Sequence, residues 1–237
     1  MIIASNFKTN FTRVQTDDFV VAIQDFMRST KSTQQVRIFP PATALDIFDE
    51  VSSLHVGAQN FYPTQNGSYT GEIGFDQLEE FGIDCVLIGH SERRHILKES
   101  QTLVAQKFDF AKAKSVEIIY CVGEPKEIRA LGIDAVMAYI WEQFEGIDIS
   151  YGRLVIAYEP VWAIGTGLTA SDDDIEEVLT RLDEKLSAPL LYGGSVKVDN
   201  IKAILNIDKC DGVLVGTASW SVEAFSQMIQ AADELEK

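Results

Sequence analysis

The segment Leu154-Val155-Ile156-Ala157-Tyr158-Glu159-Pro160-Val161-Trp162-Ala163-Ile164-Gly165-Thr166-Gly167 opens with five apolar residues and ends them on a carboxylate. An apolar run without polar alternation fits a strand buried on both faces, as in a parallel sheet covered by helices. Seven more such runs occur: Ile2 to Ser5, Val36 to Phe39, His55 to Ala58, Cys85 to Gly89, Ile118 to Cys121, Leu190 to Tyr192 and Gly212 to Val215. The stretches between them are long enough for crossover helices. Asp17 to Ser29 and Thr102 to Lys114 carry apolar residues at helical spacing, and Ser171-Asp172-Asp173-Asp174 has the spacing of a capping box with acid at a helix start. From Glu124 to Gly152 two helical segments are expected, without readable ends, and Asn66-Gly67-Ser68 reads as a loop turn. Alternating strands and helices suit either a closed barrel or an open doubly wound sheet. The unusual residues separate the two. Asn6, Lys8, Gln59, Asn60, His90, Glu159, Ser195 and Gly216 each follow a predicted strand, on the face where barrels carry their sites. Only a barrel brings those six strand ends together, so the expected fold is α/β, one (βα)8 barrel domain over residues 1–237.

Composition narrows the function. The chain has 237 residues, 46% of them hydrophobic, enough for one continuous core. A net charge of -16 without a long basic cluster disfavours nucleic acid and anionic membranes as partners. Cys85, Cys121 and Cys210 are odd in number, far apart and without neighbouring histidines, which argues against a disulfide framework and a zinc site. The opening Met1-Ile2-Ile3-Ala4-Ser5 is too short for a signal peptide, and no run approaches membrane-spanning length. A cytoplasmic protein without metal or organic cofactor is expected.

The strand-end residues supply chemistry. Glu159 precedes Pro160, which stiffens the chain at the entrance of a loop ending in Gly-Thr-Gly; a carboxylate under a closable loop can act as a base away from water. Alone, it reads more readily as a solvated cap. His90 lies between Gly89 and a helix opened by Ser91, where backbone N–H groups and the positive helix end disfavour the imidazolium. Asn6 and Lys8 bracket Phe7, and period-two alternation puts both polar side chains on one side. Gly165, the segment Gly193-Gly194-Ser195, and Gly216-Thr217 offer backbone donors that an anion can approach closely. Two of these follow the last two strands, a common phosphate position in barrels. His55 and His95 are left as structural or solvated.

Together, Asn6-Phe7-Lys8, Gly89-His90-Ser91-Glu92-Arg93-Arg94, the Glu159 decapeptide and the glycine segments, in this chain order, resemble the triosephosphate isomerase family closely and over nearly the whole length. The resemblance implies interconversion of dihydroxyacetone phosphate and glyceraldehyde 3-phosphate, a step of glycolysis and gluconeogenesis. It makes Glu159 the base, neutral His90 the electrophile, Lys8 and Asn6 the groups that hold the substrate oxygens and charge, and Pro160 to Ala170 a lid. Gly165, Gly193, Gly194, Ser195, Gly216 and Thr217 become the phosphate cup. It further implies that Glu92 orients Lys8, that Glu99 and Glu124 tie loops together, that Ile164 and Leu214 press on the base, and that a homodimer forms through Gln59 to Glu72, with Thr70 near the partner's site. Three positions depart from the family: Phe7 stands for tryptophan, Thr217 for glycine and Leu168 for lysine. The rivals are another phosphate-binding barrel isomerase, of the indole or amino-sugar type, and a barrel retained for binding alone.

Overall fold

Eight parallel strands form one ring: β1 (Ile2–Asn6), β2 (Gln35–Phe39), β3 (Leu54–Val56), β4 (Cys85–Ile88), β5 (Glu117–Val122), β6 (Leu154–Tyr158), β7 (Leu190–Tyr192) and β8 (Gly212–Val215). The computed structural model of the chain describes residues 1–48, 53–164 and 169–235. Hydrogen-bonded order runs β3-β2-β1-β8-β7-β6-β5-β4. Ala58 closes the ring against β4: its N–H donates to Cys85 O at 2.9 Å, and its carbonyl accepts from the Leu87 N–H at 2.9 Å. The bounds of β6, β7 and β8 coincide with the apolar runs of the sequence.

Among the described residues, eight α-helices surround the strands: α1 (Arg13–Thr30), α2 (Phe75–Glu80), α3 (Gln101–Ala113), α4 (Lys126–Arg129), α5 (Ile133–Glu142), α6 (Asp172–Asp183), α7 (Ile201–Leu205) and α8 (Val222–Leu235). The first begins four residues before its expected start because Thr12 and Gln15 form a reciprocal capping box. The expected box at Ser171 is present, with Asp174 N–H donating to Ser171 Oγ at 3.1 Å. The unread stretch holds α4 and α5, parted by Gly132 at φ +94°, a conformation costly for any residue with a Cβ.

Continuous apolar runs are explained by two layers of core. Alternate strand residues such as Ile3, Ile38, Val86, Ile118, Ile156 and Val213 pack outward under the helices. The intervening Ala4, Phe39, Leu87, Ile119, Val155, Ala157, Leu191 and Leu214 fill the barrel interior. Gly57 makes room for Phe39, since a Cβ there would lie 2.4 Å from its ring. At the end of the barrel away from the strand tips the filling turns polar. Arg37, 6% exposed, donates from Nε to Glu117 Oε1 at 2.6 Å and from Nη2 to Oε2 at 3.1 Å. Cys85 Sγ donates to the same carboxylate.

Burial opposes ionisation of Glu117, but the Arg37 hydrogen bonds and charge outweigh it and hold the carboxyl below its ordinary value. The contribution to stability is therefore complete above the unfolded value of 4.5 and is lost as pH falls through the lower folded one. Glu117→Leu alone strands a buried guanidinium and is expected to cost about 3–5 kcal/mol, whereas Arg37→Leu with Glu117→Leu should cost far less. Urea unfolding of both variants at pH 7 and pH 4 measures this, with both variants losing the part of the wild type's pH dependence that Glu117 contributes in that range.

Candidate active site

At the tip of β4, Gly89 adopts φ +77° and turns the chain so that His90 points into the mouth. A Cβ at Gly89 would lie 2.5 Å from Arg94 Nη2. His90 Nδ1 accepts the Glu92 N–H at 3.2 Å. Acceptance at Nδ1 leaves Nε2 as the ring nitrogen that faces Glu159. The expected helix opened by Ser91 is present as one π-helical turn, Glu92–Ile96, with Ser91 as its N-cap residue, although the Ser91 side chain makes no capping bond. A turn of five residues supplies little macrodipole, so the group that faces His90 Nδ1 is the local N–H of Glu92.

Glu159 closes β6 and is 2% exposed. Its Oε2 accepts the Ser91 N–H at 3.1 Å, and its Oε1 lies 3.2 Å from His90 Nε2. The backbone is fixed by donation to Val122 O at 2.7 Å and by Gly123, where a Cβ would meet Glu159 O at 1.8 Å. Gly193 is also obligatory, because its Cβ would stand 2.8 Å from Glu159 Cγ. Burial, and then the neighbouring Glu159 charge, push the Cys121 thiol well above its ordinary value, so it remains a protonated neighbour of the carboxylate.

Lys8 and Asn6 both line the same cleft. They meet through a turn and not through strand alternation: β1 ends at Asn6, and Lys8 takes φ +52°. Asn6 Oδ1 accepts the Lys8 N–H at 2.9 Å, Gln59 Nε2 donates to Lys8 O at 2.9 Å, and Trp220 Nε1 donates to Asn6 O at 3.0 Å. Glu92 Oε1 pairs with Lys8 Nζ at 2.7 Å, as expected. Phe7 is fully buried, edge-on to Phe11 and Phe19, and fills its place without a polar tip.

The cleft measures about 420 Å³ and unites His90, Glu159, Lys8 and Asn6 with Gly193, Gly194, Ser195, Gly216 and Thr217. Gly194 admits the Tyr192 hydroxyl, 2.1 Å from where a Cβ would stand, and Gly216 packs on the Lys8 stem. Gly165 and Leu168 lie outside the described residues. Ile164 and Leu214 are on the cleft wall. Beside the loop entrance, Trp162 Nε1 and the Tyr158 hydroxyl donate to Glu124 Oε1 at 2.9 and 3.2 Å; burial raises the Glu124 carboxyl, and these donors oppose it. Glu99 binds Arg93 and the buried Lys107, which also donates to Asn60. His55 pairs with Asp84 at 3.1 Å, away from the mouth.

Sequence reasoning missed Lys197, Val196 and Ala218, which line the cleft, and the proximity of Cys121 to Glu159. Lys197 was within reach, since it follows Gly-Gly-Ser-Val directly; Cys121 is indistinguishable from core in an apolar run.

The sequence model of the family described as "Triosephosphate isomerase" matches residues 1–232. Proteins named triosephosphate isomerase are similar over the whole length. That of a Nitratiruptor species is 52% identical over 235 residues, covering 99% of this chain and 100% of its own. That of a Sulfurovum species is 52% identical over 98% of this chain and 100% of its own, and that of Sulfurimonas denitrificans is 50% identical over 100% and 98%.

Because the Gly193 backbone abuts the Glu159 side chain, Gly193→Ala is expected to move the carboxylate off His90 and to cost about 1–3 kcal/mol of stability through overpacking. A crystal structure of the variant, read for the Glu159 to His90 distance, together with urea unfolding, checks both parts.

Proposed function

The chain belongs to the triosephosphate isomerase family and acts as a triosephosphate isomerase, interconverting dihydroxyacetone phosphate and D-glyceraldehyde 3-phosphate; from that premise we propose how its residues divide the work. The observation that carries the proposal is the buried carboxylate of Glu159 beside the Nε2–H of a neutral His90, on the wall of a cleft that also holds Lys8. Substrate entering the cleft exchanges partners: its carbonyl oxygen takes the His90 Nε2–H, and Glu159 Oε1 is released to face the adjacent carbon. Glu159 then removes a proton from that carbon, giving an enediolate, and returns it to the neighbouring one, while the hydroxyl proton passes from the first oxygen to the second, so that a hydroxyl and a ketone become an aldehyde and a hydroxyl. His90, Lys8 and the Asn6 amide stabilise the oxyanion while it exists. The reaction has no net redox change, so acid–base side chains suffice and no cofactor or metal is required.

Phosphate recognition falls to Gly193, Gly194, Ser195, Gly216 and Thr217 on one side of the cleft, with Gly165 added from the lid. Thr217 keeps a backbone N–H where glycine is usual in the family, and adds a β-branched side chain beside it. The net charge of -16 repels a phosphorylated substrate at a distance, but screening confines that field to about 8 Å at physiological salt. Within that range Lys8 and the backbone donors govern.

We further propose a homodimer in the cytoplasm. Exposed apolar side chains follow four successive strands on the mouth side: Val14, Ile47 at 73% exposure, Tyr69, and Ile96 at 70%. Exposed apolar side chains on one side of a protein suit an interface, and Tyr69 belongs to the Gln59 to Glu72 segment. Cys85, Cys121 and Cys210 are free and buried, in keeping with a reducing compartment. No helix among the described residues is long and apolar enough to cross a membrane.

Two measurements test these assignments. In a coupled assay on glyceraldehyde 3-phosphate, Glu159→Asp should lower kcat by about 100-fold or more, because retracting the base by one methylene misplaces it by roughly 1 Å. An active wild type with an unaffected variant would remove Glu159 from the role of base. In sedimentation, the wild type should run at twice its 26.3 kDa chain mass, and Tyr69→Asp should shift it toward the monomer; a monomeric wild type contradicts the dimer.

A further inference from the structure

Behind the cleft, a chain of buried and half-buried polar groups joins the backbone that carries the electrophile to the backbone that carries the base. Arg94 Nε donates to Gly89 O, next to His90, at 2.7 Å. Its Nη2 donates to the Tyr120 hydroxyl at 2.8 Å, and Gln101 Nε2 donates to the same oxygen at 3.3 Å. The Tyr120 hydroxyl in turn donates to the backbone carbonyl of Gln143. The Gln143 side-chain amide then clamps Gly123 on both sides, accepting its N–H at 3.2 Å and donating to its carbonyl at 3.0 Å. Gly123 is the residue whose backbone abuts the Glu159 peptide without room for a Cβ.

We infer that Tyr120 and Gln143 are positioning residues for the isomerisation, holding the Glu159 carboxylate and the His90 imidazole in register from outside the cleft. The inference rests on the mechanism proposed above. Neither side chain reaches the cleft: Tyr120 is fully buried on the outer face of β5, packed with Phe108 and Phe144, and Gln143 follows the end of α5. The Tyr120 hydroxyl has one proton and two lone pairs, and all three are used. An apolar residue would fill that outer layer as its neighbours do. The polar groups instead connect two strand tips, those of β4 and β5, whose separation governs the contact between His90 and the residue after β6. A fully satisfied buried network is rigid and admits one arrangement, which is what a base and an electrophile 3.2 Å apart require.

The experiment uses the full-length enzyme with Tyr120→Phe, which removes the hydroxyl and retains the ring, and Gln143→Glu, which retains the shape and one of the two bonds to Gly123. Ile229→Ala, in α8 and remote from the site, supplies a destabilised control. For each, kcat and KM on glyceraldehyde 3-phosphate, inhibition by inorganic phosphate, and Tm are measured. Positioning predicts a kcat loss of about 10-fold or more in both variants, with KM and phosphate inhibition unchanged because the phosphate cup lies on β7 and β8. The double variant should lose little beyond the worse single one, since the two act as one link. Ile229→Ala should keep kcat at whatever Tm it has. The inference is overturned by kcat within two-fold of wild type in both folded variants, by losses that the control reproduces at equal Tm, or by failure of both variants to fold, which would make the network a folding element. A wild type without isomerase activity would instead defeat the proposed mechanism.

Discussion

Glu159 is only 2% exposed, and the two partners of its carboxyl group, the Ser91 N–H and the His90 ring, both come from a different strand tip. An unpartnered buried carboxylate is too costly to persist in that form. The hydrogen-bonded order sets the geometric difficulty: β5 lies between β4 and β6. The carboxylate has to cross the end of β5 to reach its partners. That end is accordingly low, with Cys121 and then Gly123, and Gly123 lets the Glu159 backbone settle directly on it. A small residue directly after β5, Gly123, is thus a condition for the Glu159 carboxylate to meet His90 at all.

Much of this was legible in the chain because strand tips are punctuated. His90 follows Gly89, Glu159 precedes Pro160, and Ser195 follows two glycines, so each functional side chain is marked by a residue with unusual backbone behaviour. Three strand bounds were readable to the residue because both faces of those strands are apolar and their ends are not. The start of α1 was misread because Thr12 and Gln15 act through a reciprocal side-chain bond that apolar periodicity does not register. The helical turn after Ser91 was readable, but its π-helical form and the donation of the Ser91 N–H to Glu159 were not, because that acceptor lies on another strand tip. The network through Tyr120 and Gln143 gave no sign, since a tyrosine within Ile118 to Cys121 looks like core and its partners are 19 to 26 residues away.

The polar floor of the barrel was hidden in a similar way. Arg37 interrupts an apolar run, but its partner Glu117 is on β5, 80 residues on and separated from β2 by β3 and β4 around the ring. Nothing local pairs them. The pairing spans the barrel interior, so the two ends of one tube of side chains serve different purposes. At the floor a carboxylate is saturated by a guanidinium and a thiol. At the mouth Glu159 keeps one oxygen toward His90, on the wall of the cleft.

Lys8 carries the same logic into the backbone. A non-glycine residue at φ +52° is disfavoured, and glycine would relieve the strain while deleting the ammonium that faces the cleft. The chain keeps the lysine and surrounds its peptide with fixed partners: Asn6 Oδ1 on its N–H, Gln59 Nε2 on its carbonyl, Glu92 on its side chain. The Gln59 amide also donates to Phe39 O at 2.8 Å, so the turn after β1 is tied to the tip of β2. These contacts oppose relaxation of the turn, and they hold the cation at the wall while the stem packs on Gly216. The strain and the cleft charge therefore have one cause: the polar head can reach the mouth only if β1 stops at Asn6 and the next turn is made in the left-handed region.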